Sequence, residues 1–387
     1  MPRIYLDYAS TTPVDGRVLE AMTPFFKASF GNASSAHSFG QEALKAVEDA
    51  RLSLARSIGA QPQEMIFTSG ATESNNQAIS GVIKALQSKG NHIIVSPVEH
   101  HAVFEPIALL EKEGFKVSFL NVDSYGLVDP QEVKRLITKE TILIAVMHAN
   151  NEIGTVQPVE EIGTIAQEAG IYFLVDAAQT VGHTRVNVHD LKCDLLSLSA
   201  HKFYGPKGVG ALYIRQGTKL KSFLLGGDQE RGRRASTLNV PGIVGLGQAI
   251  DLAQKELLEE MARVTLLRDK IIHDVLNNFQ SVRLNGHPTR RLPHNVHFSF
   301  DGLLGEMLVA SLDLSGIAVS MGSACVSGSM EPSHVLKAIG LSDELALGSL
   351  RISLGRWTTQ EEISRFLEVL KEKVNQLLTF SPLKDRR

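Results

Sequence analysis

The 387-residue chain is poor in the features that mark several classes of protein. Its only two cysteines, Cys193 and Cys325, lie far apart in sequence, which favours neither a disulfide framework nor a zinc knuckle. No apolar run approaches the ~18 residues of a membrane span, and the first residues lack a signal-peptide pattern. The net charge of −3 provides no field for nucleic acid. These absences favour a cytoplasmic enzyme or binding protein that contacts neither membrane nor nucleic acid.

Two common nucleotide-binding signatures are missing as well. No G-x-x-x-x-G-K-[ST] segment occurs, and the stretch from Gly205 to Gly210 resembles one only superficially. No G-x-G-x-x-G follows a strand-like run, which argues against a nicotinamide-binding Rossmann site.

The middle of the chain alternates β-rich and amphipathic segments. Near-continuous apolar strands separated by helical periodicity indicate an α/β fold with a mostly parallel sheet covered on both faces. We assign this seven-stranded sheet to a large domain over residues 13–254. The predicted strands are 64–68, 92–96, 116–122, 142–147, 172–176, 195–199 and 210–214.

The pattern changes after Gly247. A long amphipathic helix is predicted over 250–279, followed by strands at 295–300 and 350–354 and a final helix. Between the two strands lies a loop of small residues at about 320–333, which contains Cys325. We assign residues 1–12 and 255–387 to a smaller α+β domain that carries this loop.

Five of the predicted strands run directly into polar groups. Because the carboxyl ends of parallel strands share one edge of a sheet, these groups are expected to meet at a ligand site. The groups are Ser69 to Glu73, Glu99 to His101, His148 to Glu152, Asp176 with Gln179, and Ser199 with His201 and Lys202.

The residue types at these strand ends suit one cofactor. A lysine at the end of a buried strand is desolvated, which lowers its pKa and permits Schiff-base chemistry. Asp176 ends another buried strand, where a pyridinium nitrogen would be a suitable partner. The backbone after Ser69 leads into a helix and can hold a phosphate. Lysine and aspartate together are the pair used with pyridoxal phosphate (PLP), and His100 could stack on its ring.

An ordered set of motifs makes the chain resemble the class V, fold-type I PLP enzymes, and among them the cysteine desulfurases. The resemblance covers nearly the whole chain and extends to the longer form of the cysteine loop. The motifs are Tyr5-Leu-Asp7, Thr11-Thr-Pro13, Gly31-Asn-Ala-Ser34, Thr68-Ser-Gly-Ala-Thr-Glu-Ser74, Glu99-His100, Asn150-Asn-Glu-Ile-Gly154, Val175-Asp-Ala-Ala-Gln179, Ser199-Ala-His-Lys202, Gly205-Pro-Lys-Gly208, Ser323-Ala-Cys325 and Leu350-Arg-Ile-Ser353.

The resemblance implies a role for each cofactor-binding residue. Lys202 would hold PLP covalently, Asp176 would pair with the pyridine nitrogen, and His100 would stack on the ring. Gln179 would contact the phenolic oxygen. The phosphate would be held by Ala71, Thr72, Ser199 and His201, with Thr237 supplied by a second subunit of a homodimer. Ala200, Asp228 and Ser236 stand where the family often has glycine.

The same resemblance implies the reaction. Arg351 would bind the substrate carboxylate, Asn151 would lie over cofactor and substrate, and Asn32 would contribute to the substrate site. Cys325 would take sulfur from L-cysteine as a persulfide and leave L-alanine, with His100 moving protons. Cys193 is expected to be core packing.

Other readings remain open at this point. A selenocysteine lyase or a class V aminotransferase would keep PLP, whereas a non-enzymatic sulfur or cluster scaffold would only present Cys325. A desulfurase would need a sulfur acceptor, either an iron–sulfur scaffold protein or a thiolation protein. No resident metal is expected, although Cys325 could contact an iron–sulfur cluster on a partner.

Overall fold

A seven-stranded sheet forms the centre of the first 240 residues in the computed structural model, which describes residues 3–322 and 331–380. After the short β1 (Ile4–Tyr5), its strands are β2 (Met65–Thr68), β3 (His92–Val95), β4 (Lys116–Phe119), β5 (Thr141–Ala145), β6 (Tyr172–Asp176), β7 (Leu195–Ser199) and β8 (Gly210–Ile214). Their order is β2-β8-β7-β6-β5-β3-β4, and only β8 runs antiparallel to its neighbours. The mostly parallel, seven-stranded α/β sheet predicted from the sequence is therefore confirmed.

Helices cover both faces of this sheet. Strands such as β3 and β5 are buried along their whole length, so apolar side chains on both faces pack against helices. The helices are α1 (Gly16–Met22), α2 (Pro24–Lys27), α3 (Ser38–Ser57), α4 (Ala71–Leu86), α5 (His101–Lys112), α6 (Pro130–Leu136), α7 (Val159–Ala169) and α8 (Val188–Leu191).

The long helix α9 (Val240–Asn278) begins ten residues before the predicted start. Three glycines in its first turns lowered the helical signal of the sequence. They are used for close packing: a Cβ on Gly245 would lie 2.6 Å from the Met22 sulfur, and one on Gly247 would lie 2.7 Å from the Ala50 Cβ. Asn239 caps this early start by accepting the Gly242 N–H at 3.1 Å.

The C-terminal part builds a second apolar cluster around a small antiparallel sheet. Its strands β9 (Val282–Asn285), β10 (Asn295–Phe300) and β12 (Ser349–Ser353) lie in the order β12-β10-β9. The helices α10 (Gly305–Leu314), α11 (His334–Ala338), α12 (Asp343–Leu347) and α13 (Gln360–Phe380) accompany it, and β11 (Ile317–Ala318) pairs with β1 in parallel. Ile4 and Leu6 join this cluster, so the N-terminal strand packs with the C-terminal part.

The N-terminal segment and β12 also run side by side beyond β1. The Ser353 N–H donates to the Leu6 carbonyl at 2.8 Å, and Asp7 forms an isolated bridge with Ser353. This contact brings residues near position 10 and residues near position 350 to the edge of the large sheet. Among the described helices, none is both long and apolar enough to cross a membrane.

Candidate active site

A cavity of about 660 Å³ opens at the carboxyl ends of the parallel strands. It is lined by residues that follow β2, β3, β5, β6 and β7, together with the N-terminal segment and β12. Parallel strands that end at one edge explain how residues from position 9 to position 351 share one site. Ten predicted site residues line it: Ala71, Thr72, His100, Asn151, Asp176, Gln179, Ser199, His201, Lys202 and Arg351.

One wall of the cavity suits a phosphate. Helix α4 starts after Gly70, and no side chain in the described ranges 3–322 and 331–380 caps its first N–H groups, so they are available to an anion. The Ser199 hydroxyl lies close to Gly70, about 3.5 Å from where a Cβ would stand. His201 lies beside them with its Nδ1 3.1 Å from the Thr11 hydroxyl. Burial, together with the charges of Lys202 and Lys207, lowers the pKa of His201 to about 4, so the ring is neutral.

Asp176 ends β6 and is almost completely buried. Its Oδ2 accepts from the Asn75 side-chain amide at 2.7 Å, and its Oδ1 accepts from the Ala178 N–H at 2.9 Å. Two neutral donors fix the carboxylate, and no arginine or lysine is paired with it among the described ion pairs. A buried carboxylate in this state is suited to a cationic partner such as a pyridinium nitrogen.

Lys202 follows β7, the strand that pairs with β6. It stands at the end of the single helical turn Ala200–Lys202. Its ammonium group donates to the carbonyls of Ala9 at 2.6 Å and Ser10 at 2.9 Å. Burial and the charge of Arg351 lower its pKa to about 8, and the charges of Asp176 and Asp7 partly oppose that shift. A substantial fraction of the amine is therefore neutral, and nucleophilic, near physiological pH.

The backbone around Lys202 is held from two sides. The Thr12 hydroxyl donates to the His201 carbonyl at 2.9 Å and accepts the Tyr204 N–H at 2.8 Å. On the other side, the His183 Nε2 lies 2.7 Å from the Lys202 carbonyl, which requires the proton on Nε2. Two independent contacts therefore fix the position from which the Lys202 side chain enters the cavity.

His100 stands at the start of α5 and faces the same cavity. Its Nδ1 accepts the Ala102 N–H at 3.0 Å, so the ring caps the helix and keeps a fixed orientation. Burial lowers the pKa of His100, and the nearby Lys202 charge acts in the same direction. The neutral ring then carries its proton on Nε2, where it can be exchanged.

Arg351 is buried on β12 with most of its donors already engaged. Its Nη2 contacts Asp7 Oδ1 at 2.9 Å and the Ser10 hydroxyl at 2.7 Å. Its Nη1 donates to the Asn151 carbonyl at 3.0 Å, while Nε has no hydrogen-bond partner among the residues that the structure describes. A guanidinium at a cavity wall can bind a carboxylate, and here a carboxylate of the chain already contacts it.

Two predicted site residues, Asn32 and Thr237, do not line this cavity. Asn32 accepts the Ser34 N–H at 2.9 Å in a turn near the surface, and Thr237 precedes α9, so neither lines the cavity within this chain. Cys325 lies outside the described residues. Cys193 is fully buried, and burial raises the pKa of its thiol, as expected for core packing.

For several residues of the cavity the sequence predicts no role, although some of them lie in the polar groups at the strand ends named above. Glu99 is buried with one oxygen accepting the Met147 N–H, and Glu152 accepts the Ser333 hydroxyl at 2.6 Å. Ser10 lines the cavity. Asp7 does not line it but forms an ion pair with Arg351, which does. Asp7 lay within a family motif, yet spacing gave no sign of its partner 344 residues away.

The donor set fits PLP and gives no sign of a metal. An uncapped helix start, a buried carboxylate with only neutral donors and an amine of lowered pKa provide for the phosphate, the ring nitrogen and the carbonyl carbon of that cofactor. Among the described residues, no group of three or more histidine, cysteine or acidic side chains is placed to hold a metal ion.

Comparison with known proteins gives concordant matches over nearly the full length. The pattern of the family "Aminotransferase class-V" matches residues 4–366. A "Cysteine desulfurase IscS" of Dictyoglomus turgidum is 55% identical over 381 residues, covering 98% of this chain and 97% of that protein. The "Cysteine desulfurase IscS" of Methanosarcina thermophila is 51% identical over 380 residues, covering 98% of this chain and 94% of that protein.

Solved structures also resemble the chain over most of its length. A "NIFS-LIKE PROTEIN" has a TM-score of 0.91 at 39% identity and covers 97% of this chain and 100% of its own. A structure titled "SspA in complex with cysteine" has a TM-score of 0.81 at 40% identity and covers 92% of this chain and 100% of its own.

Proposed function

The chain belongs to the class V aminotransferase family and, within it, to the cysteine desulfurases, and from this membership we propose how its own residues carry out the reaction. The activity is PLP-dependent conversion of L-cysteine to L-alanine with release of the sulfur. The observation that carries the assignment of residues is the meeting of Lys202 and Asp176, from adjacent strands, in one cavity with an uncapped helix start.

PLP would be held by residues at the ends of four strands, β2, β3, β6 and β7. Lys202 would bind its carbonyl carbon, Asp176 its ring nitrogen and Gln179 its phenolic oxygen, with His100 against the ring. Its phosphate would lie at the start of α4, near Ala71, Thr72, Ser199 and His201. When bound, the cofactor supplies an electron sink that stabilises negative charge at the substrate Cα.

Gln179 uses one of its two side-chain N–H groups within the chain and has a second one for this role. Its Nε2 donates to the Ala9 carbonyl at 3.0 Å, the same carbonyl that accepts from Lys202. Attachment of Lys202 to the cofactor removes one of these two donors from Ala9. The geometry around Ala9 is therefore expected to differ between the free and the loaded protein.

Proton transfer is assigned to two groups with lowered pKa. The Lys202 amine, with a pKa of about 8, takes the proton from the substrate Cα and returns it during formation of alanine. His100 carries its exchangeable proton on Nε2, so it can exchange a proton with the substrate sulfur or with the carbon fragment that leaves that sulfur. Arg351 would hold the α-carboxylate, and Asn151 would border both cofactor and substrate.

Cys325 is the proposed sulfur acceptor. Its thiolate attacks the substrate sulfur, an S–S bond forms, and the Cβ–S bond breaks with its electron pair remaining on the carbon fragment that becomes alanine. The product on the enzyme is a Cys325 persulfide. A protein acceptor of the iron–sulfur scaffold or thiolation type would then remove the sulfur.

The assembly is proposed to be a cytoplasmic homodimer. Thr237 lies outside the cavity of its own chain, which supports a position for this side chain at the site of a second copy. Exposed phenylalanines at positions 26, 30 and 39 offer apolar surface for such a contact.

Anaerobic incubation with L-cysteine and a reductant tests the function. We expect equal amounts of sulfide and alanine from the PLP-loaded protein. Cys325→Ser should retain the cofactor spectrum but stop sulfide release. Cys193→Ala should retain both the cofactor spectrum and sulfide release. Full turnover by Cys325→Ser would refute the persulfide role. Formation of a keto acid instead of alanine would indicate an aminotransferase, and preference for selenocysteine would indicate a lyase for that substrate.

A further inference from the structure

One turn of the N-terminal segment binds two cationic side chains of the cavity, Lys202 and Arg351. The turn spans residues 7–10 and is closed by the Ser10 N–H donating to the Asp7 carbonyl at 3.1 Å. Two of its carbonyls accept from Lys202, and its side chains contact Arg351. The two groups that would meet the cofactor and the substrate are therefore both bound by the same four residues.

The contact with Arg351 is a closed triangle of polar atoms. Asp7 Oδ1 lies 2.9 Å from Arg351 Nη2, and the Ser10 hydroxyl lies 2.7 Å from the same nitrogen. The Ser10 hydroxyl also donates to Asp7 Oδ1 at 2.9 Å. The side chain of Arg351 is 4% exposed and that of Asp7 is 20% exposed, so water screens this ion pair only weakly.

The remaining donors of Arg351 leave little room for a second carboxylate. Nη1 is bound to the Asn151 carbonyl, with the Gly322 carbonyl at 3.4 Å, and Nε is buried. Bidentate binding of a carboxylate requires two N–H groups of the same fork. An incoming carboxylate must therefore share or take over the Nη2 donors that Asp7 and Ser10 use.

We propose that Asp7 is a built-in counter-ion of Arg351 that competes with the substrate carboxylate, and thereby sets the affinity of the site for amino acids with a free α-carboxylate. The inference rests on the proposed function, in which Arg351 binds that group. The charge of Asp7 repels a second anion at this position, while its oxygen keeps the guanidinium in place before substrate arrives. Asp7 is thus a positioning and specificity residue.

A second effect of the same charge gives an independent readout. The negative charge of Asp7 raises the pKa of Lys202, and the positive charge of Arg351 lowers it. Removal of the Asp7 charge should therefore make the Lys202 nitrogen lose its proton at lower pH. The pH at which the visible spectrum of the PLP-loaded protein changes reports on that nitrogen without any turnover.

The decisive variant is Asp7→Asn, which keeps an oxygen that can accept from Arg351 and removes the charge. We expect the KM for L-cysteine to fall roughly three- to tenfold and kcat, compared at a pH above the spectral midpoints of both proteins, to change less than twofold, since the competition itself affects carboxylate binding. The spectral midpoint should move to lower pH. An unchanged or raised KM in an active, folded variant overturns the proposal.

Two further variants separate charge from shape. Asp7→Glu keeps the charge and lengthens the side chain, so its KM should not fall below that of the wild type. Asp269→Asn removes a carboxylate that pairs with the buried Arg268 at 2.7 Å away from the cavity, and should leave both KM and spectrum unchanged. If Asp7→Asn fails to fold by circular dichroism, the neutral Asp7→Ser provides the same comparison.

A binding experiment distinguishes this inference from the proposed function. Propionate, a carboxylate that cannot react, is titrated into the PLP-loaded protein and followed through the spectral midpoint. We expect tighter propionate binding to Asp7→Asn than to the wild type, even if L-cysteine is not the substrate. Equal propionate affinity overturns the role of Asp7, whereas absence of turnover by the wild type overturns only the proposed function.

Discussion

At the scale of single residues, Glu99 is a cavity glutamate that is almost completely buried, whereas most glutamates lie at the surface. It is 1% exposed, its Oε1 accepts the Met147 N–H, and its Oε2 has no hydrogen-bond partner within the described part of the chain. Burial, and to a smaller extent the charge of Asp176, raises its pKa from 4.5 to about 8. At neutral pH the folded protein therefore holds Glu99 protonated.

This protonation makes stability depend on pH in a definite direction. Between pH 4.5 and about 8 the folded protein keeps the Glu99 proton and the unfolded chain loses it, so this group's contribution to stability decreases as pH rises. We expect Glu99→Gln, which cannot ionise, to show a shallower loss of unfolding free energy from pH 5 to pH 8. Urea unfolding of the cofactor-free protein measures it.

The matched control is Glu111→Gln on the exposed side of α5, whose pH dependence should follow that of the wild type. Because all other groups are common to the variants, the difference between the curves isolates Glu99. Parallel curves for Glu99→Gln and the wild type would show that the buried carboxyl is ionised in the folded protein.

At the scale of elements, the same histidine serves a helix and the cavity. His100 caps α5 through Nδ1 while its ring faces the proposed cofactor position. Asparagine is an equally good cap but has no ring. We expect His100→Asn to retain wild-type stability within about 0.5 kcal/mol and His100→Ala to lose about 1 kcal/mol.

Both histidine variants should lose the ring contact with the cofactor, and so should show the same altered spectrum and slowed turnover. Thermal unfolding of the cofactor-free protein separates the two roles. If His100→Asn proves as unstable as His100→Ala, the cap is not what holds this end of α5.

The elements also show how far the sequence alone reaches. β6, β7 and β8 have the predicted bounds because each is an apolar run ended by a polar or turn residue. The strand predicted over 116–122 ends at Phe119, because the pairing beyond it is broken up: the Leu120 N–H still donates to the Val95 carbonyl at 2.9 Å, whereas Val122 forms an isolated bridge with Val128. The start of α9 was placed too late because its glycines serve a tertiary contact that propensity does not register.

For the site, the strand-end rule brought together the residues that follow β2, β3, β5, β6 and β7. The strand-end rule does not predict which side chains from distant parts of the sequence contact one another. Asp7 with Arg351 and Glu152 with Ser333 are long-range contacts that arise only when the two parts of the molecule pack together. The pKa of Lys202 likewise depends on charges from three distant segments.

At the scale of the whole molecule, Arg356 joins the segments that surround the site. It pairs with Asp15 at the start of α1 at 2.8 Å and with Glu256 and Glu260 on α9 at 3.1 and 3.0 Å. Its guanidinium lies 4.2 Å from the ring centre of Tyr204, which follows the Lys202 turn. The Tyr204 hydroxyl in turn donates to Glu260 and accepts the Arg356 N–H. One side chain thus connects the N-terminal segment, the lysine turn, α9 and the end of β12.

Removal of this connection should destabilise the molecule without emptying the site. Arg356→Ala leaves the nearly buried Glu260 without a cation among the described ion pairs and the buried Asp15 with Arg17 alone, so we expect a loss of about 3 kcal/mol in unfolding free energy. Arg135→Ala, which removes an exposed pair with Asp129, should cost less than about 1 kcal/mol. Urea unfolding measures both losses.

Because Arg356 does not line the cavity, the folded variant should still take up PLP. A loss comparable to that of Arg135→Ala would mean that the apolar clusters alone, and not Arg356, hold the two parts of the chain together.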